Sequence, residues 1–397
     1  MKEVLYLSYD GMTDPLGQGQ VLSYLRGLSK EGFSISLISF EKAGRFEQEK
    51  ENVYAICGQA GIHWHPLFYT KRPPVISTLY DVYRMWKAAK KIHSKKKIKI
   101  VHCRSYISAL VGLRMKKKFA MVFIFDMRGF WIDEKTEAGD WSTAKPVYRK
   151  VINYFRKKEN EFYYSSDIIV TLTEAARHTI IKSKPELTDK IFVIPTCVNL
   201  DVFKPFQPNI RKAIRKKLGI PEHAFVLLYS GGYGPNYNIH FLLQVFSKLK
   251  ETNPETCLLI LSKDGVTGLE TEKNTKNIFS ATLPYTMVSD YLMAGDLGVI
   301  NYADRFSVAG RSPTKLGEYW ASGLPAVAPK GIGDVDQLFA IYKNGGIIYS
   351  DENFNDRLKE VIITDKDILR SYAEDYFSLE KGIQLYKNIY TKSLVSG

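Results

Sequence analysis

Residues 312–328, SPTKLGEYWASGLPAVA, place a lysine and a glutamate where both can contact a phosphorylated ligand. The sequence predicts that the chain turns at Pro313 from a loop into a helix, whose free N–H groups carry a partial positive charge suited to a diphosphate. Thr314 adds a hydroxyl and Lys315 a full charge to that end of the helix. Glu318 lies one turn beyond Lys315, so its carboxylate can accept hydrogen bonds from two neighbouring hydroxyls. The alternative is a Lys315–Glu318 surface ion pair, worth less than about 1 kcal/mol.

Strand-like and helix-like segments alternate along the whole chain and must position these residues. The predicted strands are 4–9, 34–40, 98–104, 121–128, 167–173, 190–196, 225–232, 256–262, 277–283, 296–302, 324–329 and 345–350. Residues 238–250 and 378–394 read as amphipathic helices, and 17–28 as a loop that enters a helix. Such alternation predicts an α/β fold, with two Rossmann-like, doubly wound domains that face a cleft. Ligands are expected beyond the carboxyl ends of the strands.

The chain of 397 residues is too long for one ordinary core. We predict an N-terminal domain over residues 1–198, a C-terminal domain over 199–377, and a final helix over 378–397 that packs on the N-terminal domain.

No apolar run reaches the ~18 residues that span a bilayer. The first residues, MKEVLYLSYDG, do not resemble a signal peptide, and the four cysteines lack metal-binding spacing, so we expect reduced thiols and a cytoplasmic protein.

Positive charge is concentrated in the first half of the chain. Residues 1–200 hold 33 Lys and Arg against 20 Asp and Glu, whereas residues 201–397 hold 23 against 22. A basic face attracts nucleic acid, an anionic membrane or an anionic substrate. The sequence contains no helix-turn-helix, RRM signature or Cys/His finger, so we expect no nucleic-acid partner. The remaining alternatives are a solvated helix surface, a membrane-facing surface and a surface that attracts an anionic substrate.

Several segments resemble the retaining glycosyltransferases of family 4. Residues 312–328 resemble that family's donor-binding helix, and 193–203, VIPTCVNLDVF, are similar to its inter-domain segment I-P-N-G-V-D-x-x-x-F. Residues 170–175, VTLTEA, resemble the strand and turn before that segment, and 229–234, YSGGYG, resemble the first strand and glycine turn of the donor domain. The segment from Tyr376 resembles the helix that returns to the N-terminal domain. The resemblance therefore covers nearly the whole chain.

The resemblance implies a GT-B fold and a metal-independent transfer, with retained configuration, of a sugar from a UDP- or GDP-sugar. No cofactor besides that co-substrate is implied. Lys315 would contact the diphosphate and Glu318 the ribose, and with Asp126 they are the predicted catalytic residues. The other predicted donor-binding residues are Gly17, Gly19, Ser230, Gly231, Gly232, Leu283, Pro284, Gly310, Arg311, Ser312, Pro313 and Thr314. Residues 17–20 would form a glycine loop after the first strand, for which a plain turn is the alternative.

Three departures from the family pattern bear on function. Gly310 stands where the first Glu of the family's Glu-x7-Glu motif is expected, which leaves the donor sugar open. Residues 233–238 lack the cations that often follow the glycine turn, and Arg311 can supply the missing charge. Asp126 stands where many members carry a histidine, although some branches resemble the Asp-x-Arg-Gly pattern found here.

Four residues at predicted strand ends in the first half form the candidate acceptor side. Asp126 can orient a sugar hydroxyl or stabilise positive charge at the reacting carbon, and a local salt bridge to Arg128 is the alternative. Arg104 can bind an acceptor phosphate through its planar guanidinium. His102 and Arg128 are the other predicted acceptor-binding residues, and a structural role is the alternative for His102.

The expected activity is transfer to a lipid-linked or polysaccharide acceptor at the inner face of the cell membrane. A catalytically inactive GT-B module that binds sugars or partners is the main alternative, because Gly310 and Asp126 depart from the pattern. Another GT-B enzyme, such as an epimerase, would act on the nucleotide-sugar alone.

Overall fold

The computed structural model describes residues 2–70, 72–263 and 275–395. The chain divides into two compact units. The first unit contains residues 1–195 and 379–397, and the second contains residues 196–378. Each unit has a parallel sheet of its own, and the two are described separately below.

The sheet of the first unit has seven strands within the described residues, in the order β3-β2-β1-β4-β5-β6-β7, all parallel. The strands are β1 (Lys2–Ser8), β2 (Phe33–Glu41), β3 (His63–Phe68), β4 (Ile100–Arg104), β5 (Val122–Asp126), β6 (Ile168–Thr171) and β7 (Ile191–Val193). The central strands are buried on both faces, as their runs of Val, Ile, Leu and Phe require. The order reverses between β1 and β4, where the carboxyl ends of a doubly wound sheet leave room for a ligand.

The helices of this unit are α1 (Pro15–Gly17), α2 (Ser23–Lys30), α3 (Ala43–Gln59), α4 (Ile76–Lys96), α5 (Ser105–Phe119), α6 (Trp131–Glu137), α7 (Pro146–Ser165) and α8 (Glu174–Ser183). A π-helical turn over Gln18–Leu22 joins α1 to α2, and a 3-10 helix covers Pro185–Lys190. The prediction of a glycine loop at 17–20 is therefore wrong, because the chain is already helical there. A Cβ on Gly17 would lie 2.8 Å from Met12 Cα, so glycine is needed for packing rather than for a loop.

The second unit has six parallel strands in its described part, in the order β10-β9-β8-β11-β12-β13. They are β8 (Val226–Ser230), β9 (Cys257–Leu261), β10 (Ile278–Ala281), β11 (Leu297–Val299), β12 (Ala326–Ala328) and β13 (Gly346–Ile348). The helices are α9 (Pro208–Leu218), α10 (Ile239–Thr252), α11 (Tyr285–Leu292), α12 (Thr314–Ala321), α13 (Val335–Ile341), α14 (Phe354–Ile362) and α15 (Lys366–Tyr376), with 3-10 helices at Thr275–Asn277 and Phe306–Gly310. The predicted pair of doubly wound α/β sheets is thus confirmed.

The last helix, α16 (Leu379–Val395), packs within the first unit. Ile383 lies against Gly27 of α2, where a Cβ would approach Ile383 Cγ1 to 2.7 Å. Tyr386 and Tyr390 of α16 are buried, and their hydroxyls reach polar residues at the carboxyl end of the sheet. The aromatic residues of this helix therefore take part in the candidate site described next.

Candidate functional site

The start of α12 is fixed by its surroundings in the second unit. Pro313 precedes the helix, and the Ser312 hydroxyl accepts a hydrogen bond from the Thr196 backbone N–H at 3.1 Å. Gly317 packs so closely on Val198 and Phe377 that a Cβ would lie 2.7 Å from Val198 Cγ2. The predicted turn into a helix at Pro313 is confirmed, and the helix N-terminus is held in place on both sides.

Lys315 carries its amine into a ring of tyrosines. The nitrogen lies 4.6 Å from the ring centre of Tyr229, 4.3 Å from that of Tyr237 and 5.8 Å from that of Tyr302. The Tyr229 hydroxyl accepts a hydrogen bond from the amine at 3.3 Å. Aromatic ring faces attract a cation, so this arrangement orients the ammonium group without neutralising its charge.

Glu318 is buried one turn further along α12, with 8% of its surface exposed. The Tyr285 hydroxyl donates a hydrogen bond to Glu318 Oε1 at 3.4 Å. Tyr285 begins α11, directly after the predicted base-flanking residues Leu283 and Pro284, of which Leu283 packs on the core and Pro284 is exposed. The structure therefore brings the loop at 283–285 to the carboxylate that was predicted to hold a ribose.

The alternative of a Lys315–Glu318 ion pair is not supported. Within the described residues, no carboxylate oxygen lies within 4.0 Å of the Lys315 amine. Burial lowers the pKa of Lys315 to about 7, although the nearby Glu318 charge acts in the opposite direction. Burial likewise raises the pKa of Glu318 to about 7, against the influence of Lys315. Two ionisable groups held without close counter-charges are typical of a binding site that a ligand completes.

The glycine turn after β8 lies against the same lysine. Gly231 has φ of +147°, and a Cβ there would lie 2.6 Å from Lys315 Cε. Gly231 N–H donates to the Leu261 carbonyl at 2.9 Å, and the Gly232 carbonyl accepts from the Tyr229 hydroxyl at 2.7 Å. The Ser230 N–H donates to the Tyr319 hydroxyl at 3.1 Å. These predicted phosphate neighbours are thus brought to Lys315.

The segment before α12 completes this half of the site. Gly310 ends the 3-10 helix and is buried, and the Arg311 guanidinium lies 5.4 Å from the ring centre of Tyr302. Tyr302 is one of the rings around Lys315, so Arg311 shares an aromatic neighbour with that lysine. Ser312, Pro313 and Thr314 follow directly and lead into the helix.

The first unit carries a second polar cluster at the carboxyl ends of β4 and β5. Asp126 is 1% exposed, and its Oδ2 accepts a hydrogen bond from the Tyr386 hydroxyl at 3.2 Å. His102 Nε2 lies 3.4 Å from the same oxygen, and His102 Nδ1 lies 2.7 Å from the Tyr390 hydroxyl. Because both His102 nitrogens are engaged, the geometry favours a role for His102 in orienting Asp126 over direct contact with an acceptor.

Two arginines flank this carboxylate. Arg128 Nη1 lies 3.9 Å from Asp126 Oδ1, and Arg104 Nε donates to Asp10 Oδ2 at 3.1 Å. Arg104 Nη1 and Arg128 Nε are buried and have no hydrogen-bond partner among the described residues. The Asp126–Arg128 ion pair considered from the sequence is present, at a distance too long for a hydrogen bond.

The charges of this cluster act on one another. Burial by itself raises the pKa of Asp126, but Arg128, His102 and Arg104 more than offset this effect and hold the pKa below its usual value. Burial lowers the pKa of His102 in spite of the Asp126 charge, which favours the neutral imidazole. The resulting state is an ionised Asp126 carboxylate that is stabilised mainly by Arg128 and His102, with a smaller effect of Arg104.

The predicted site residues fall into two groups by unit. Asp126, His102, Arg104 and Arg128 lie together in the first unit, which also contains Gly17 and Gly19 in their helical segment. The residues from Ser230 to Glu318 that were predicted to bind the donor lie in the second unit. Sequence reasoning missed the tyrosines that surround Lys315, namely Tyr229, Tyr237 and Tyr302. Their positions at strand ends and helix starts were the available signal. Tyr285 belongs to the loop that was predicted to flank the base, but its hydrogen bond to Glu318 was not predicted.

Comparison with known proteins identifies the family. Residues 18–202 match the model described as Glycosyltransferase Family 4, and residues 210–375 match the model described as Glycosyl transferases group 1. The chain belongs to the family 4, group 1 glycosyltransferases. The resemblance noted from the motifs is therefore confirmed, and Lys315 and Glu318 of this glycosyltransferase lie within the group 1 region.

Relatives and solved structures agree with this assignment. A D-inositol 3-phosphate glycosyltransferase of Streptomyces coelicolor is 24% identical over 166 residues, which are 39% of this chain and 35% of that protein. The glycosyltransferase thus spans about a third of this curated relative. Sucrose-phosphate synthase from Thermosynechococcus elongatus has a TM-score of 0.70 at 13% identity, with 100% of each chain covered. Anabaena HepE in complex with UDP has a TM-score of 0.66 at 13% identity, with 98% and 100% covered. These neighbours confirm the GT-B fold.

Proposed function

We propose that this glycosyltransferase moves a sugar, with retention of configuration and without a metal ion, from a nucleoside diphosphate sugar to a lipid-linked or polysaccharide acceptor. The observation that carries the proposal is the pairing on α12 of the Lys315 amine, held in a ring of tyrosines, with the buried Glu318 carboxylate one turn away. Both groups lack a close counter-charge within the described residues, and a bound nucleotide would supply one to Lys315.

The donor would lie along the N-terminus of α12. Its diphosphate accepts hydrogen bonds from Lys315 and from backbone N–H groups near Ser312–Thr314, where the helix dipole adds positive potential. Its ribose hydroxyls donate to Glu318, and the loop at 283–285 flanks the base. A uridine nucleotide is the first candidate, because the similar fold of HepE is described in complex with UDP.

Departure of the nucleoside diphosphate leaves negative charge that must be stabilised. Lys315, Arg311 and the helix N-terminus offer fixed positive charge for this step, which is why we propose metal-independent transfer. A leaving-phosphate oxygen on the same face of the sugar then takes the proton from the acceptor hydroxyl. This route retains configuration and needs no strong protein base.

The acceptor would be recognised in the first unit. Arg104 and Arg128 offer guanidinium donors beside Asp126, which suits an acceptor that carries a phosphate or another anion as well as hydroxyls. We further propose that the acceptor is presented at the cytoplasmic face of the cell membrane, because residues 1–200 carry the basic excess of the chain. Among the described residues, no helix combines the length and apolar content needed to cross a bilayer.

Thermal unfolding in the presence of UDP, GDP and their sugars tests the donor site. A ligand at 100 times its dissociation constant should add about 2.7 kcal/mol to the free energy of unfolding. We expect one nucleotide to stabilise the wild-type protein clearly more than Glu318→Gln, which binds it more weakly. Glu251→Gln, at an exposed glutamate of the same unit, is the matched control and should respond as the wild-type protein does.

The outcomes separate the proposal from its rivals. Binding followed by transfer to a lipid-linked acceptor supports the full proposal. If the protein binds a nucleotide but shows neither transfer nor hydrolysis of the donor, it is an inactive sugar-binding module. Conversion of the nucleotide-sugar without an acceptor would indicate an epimerase. No stabilisation by any nucleotide would contradict the donor site.

A further inference from the structure

Large apolar side chains are exposed along one face of α4. Ile76, Leu79, Tyr80 and Tyr83 are 63%, 55%, 53% and 50% exposed. Their spacing of i, i+3, i+4 and i+7 places them in one stripe, the pattern by which a helix normally faces a core. A stripe of this kind left open to solvent marks an interaction surface.

The stripe continues into a groove between three helices. Leu79, Val82 and Tyr83 of α4 line it with Leu110 and Leu113 of α5 and Tyr154 of α7, and the groove volume is about 540 Å³. Val147, two turns before Tyr154 on α7, is also exposed, at 51%. The exposed apolar residues therefore lie on α4 and α7, and the buried Leu110 and Leu113 of α5 contribute to the lining of the groove. We call the outer sides of α4, α5 and α7 the three-helix face.

Basic residues outnumber acidic ones around this apolar area, and α7 contributes five Lys and Arg against Glu159 and Glu161. Together α4 and α5 contain ten Lys and Arg and a single acid, Asp81, which is fully buried and accepts a hydrogen bond from the Tyr9 hydroxyl. Arg114, Lys117 and Lys158 line the groove itself. Lys117 and Lys158 pair with Glu161, whereas Arg114 has no carboxylate within 4.0 Å in the described part of the chain.

Lysines also lie beside the aromatic residues of α4. The Lys87 amine is 5.6 Å from the ring centre of Tyr83, and the Lys90 amine is 5.8 Å from that of Trp86. Aromatic rings with adjacent lysines suit the headgroup level of a bilayer, where the ring enters the apolar boundary and the ammonium contacts phosphate.

We infer that the three-helix face docks onto an anionic lipid bilayer. Ile76, Leu79, Tyr80 and Tyr83 enter the boundary between headgroups and acyl chains, and the lysines and Arg114 contact lipid phosphates. Charge complementarity selects this partner, since a nucleic acid offers no apolar phase for the stripe. The inference deepens the proposed membrane location of the acceptor by naming the surface that meets the membrane.

Flotation with lipid vesicles tests the docking surface. We expect the wild-type protein to float with vesicles of equal parts phosphatidylcholine and phosphatidylglycerol, and not with phosphatidylcholine alone. The Leu79→Glu/Tyr83→Glu double variant should bind about tenfold more weakly or worse. The Lys87→Gln/Lys90→Gln double variant should bind roughly thirtyfold more weakly. Ile363→Glu and Lys359→Gln, at exposed positions of the other unit, are matched controls and should bind as wild type does.

Thermal unfolding with and without UDP accompanies each variant, so that a failure of the donor site is distinguished from a failure of docking. Unchanged unfolding and nucleotide response with lost flotation support the inference. Equal binding to both vesicle types, or wild-type flotation by the Leu79→Glu/Tyr83→Glu variant, would overturn it. A dimer in solution that this variant dissociates would also overturn it, because the face would then be an interface between two copies of the chain.

Discussion

The side-chain amine of Lys315 occupies the space that a Cβ on Gly231 would need. The two residues belong to different elements, Lys315 to the first turn of α12 and Gly231 to the turn after β8, and the tyrosine rings close the remaining sides. The missing side chain of Gly231 therefore determines where the positive charge of the candidate donor site lies.

Replacement of Gly231 tests this relationship. Gly231→Ala should displace the Lys315 amine and weaken nucleotide binding at least tenfold, which corresponds to about 1.4 kcal/mol. The smaller thermal shift that the nucleotide then produces measures this loss. Gly234→Ala is a matched control, because Gly234 also has a positive φ, +153°, but its Cβ would meet nothing within 4 Å. Both variants should lose some stability from backbone strain. Equal nucleotide affinity in the two variants would contradict the assigned role of Gly231.

The pH dependence of donor binding should show both ionisable groups of α12. Burial lowers the pKa of Lys315 to about 7 and raises the pKa of Glu318 to about 7, so the ammonium is lost above pH 7 and the carboxylate below it. Affinity for UDP-glucose, whose phosphates do not titrate between pH 6 and 8, should therefore be highest near pH 7. Titration calorimetry across this range measures it.

Single variants assign the two sides of that profile. Lys315→Met should abolish the decline above pH 7, and Glu318→Gln should abolish the decline below it. A profile that is flat in the wild-type protein, or one that keeps both sides in either variant, would contradict the assignment.

The sequence predicted the architecture well because buried parallel strands are continuous apolar runs. Twelve of the thirteen strands in the described residues lie within or beside predicted runs, and the exception is β3 (His63–Phe68). This strand pairs only with β2 at the sheet edge, and it carries His63, His65 and Pro66, which hide the pattern. The edge position alone does not explain the miss, because the edge strands β7, β10 and β13 were predicted; the two histidines and the proline of β3 interrupt its apolar pattern.

The candidate site was predictable from helical spacing for Lys315 and Glu318, and from the family resemblance for the glycine turn at 230–232 that lies against Lys315. Lys315 and Glu318 share a helix turn, so helical spacing alone placed them together. Tyr237, by contrast, reaches Lys315 from a distant loop, and Tyr386 reaches Asp126 across 260 residues. Such contacts follow from strand order and packing, which single-sequence periodicity does not encode.

The helical conformation of residues 17–20 was missed because Gly-x-Gly favours a loop locally, whereas close packing of Gly17 on Met12 favours the helix.

Glu318 should reduce the stability of the ligand-free protein at neutral and higher pH. Because burial raises its pKa from 4.5 to about 7, the folded state holds a proton that the unfolded state has lost, and stability falls as pH rises between these values. The Glu318→Gln variant should therefore gain on the order of 3 kcal/mol relative to wild type between pH 4.5 and 8. Urea unfolding of both proteins at pH 4.5 and pH 8 measures this gain. If the two proteins differ in free energy of unfolding by the same amount at both pH values, the prediction is wrong.

Asp126 should stabilise the first unit by compensating the two arginines. Asp126→Asn removes that charge and should cost about 3–5 kcal/mol, because the Arg128 guanidinium then loses its buried carboxylate, although Arg104 keeps its ion pair with Asp10. Since the pKa of Asp126 is held below its usual value, this stabilisation is present above pH 4 and is lost as pH falls further. Tyr386→Phe, which removes one hydrogen bond to the same carboxylate, should cost only about 1 kcal/mol. Nucleotide affinity should persist in both variants, whereas transfer should fall in Asp126→Asn.

The contact between Gly27 and Ile383 should govern how well α16 is held on α2. A Cβ at position 27 would meet Ile383 Cγ1 at 2.7 Å and Cδ1 more closely still, so Gly27→Ala should lose about 1–3 kcal/mol through overpacking. Ile383→Ala should restore much of that loss in the double variant, because it removes the atoms that the new methyl group strikes. Gly19→Ala is the control, since its Cβ meets nothing within 4 Å in the neighbouring helical turn. Losses that simply add in the double variant would show that Gly27 and Ile383 are not coupled, and that α16 is held by Tyr386 and Tyr390 instead.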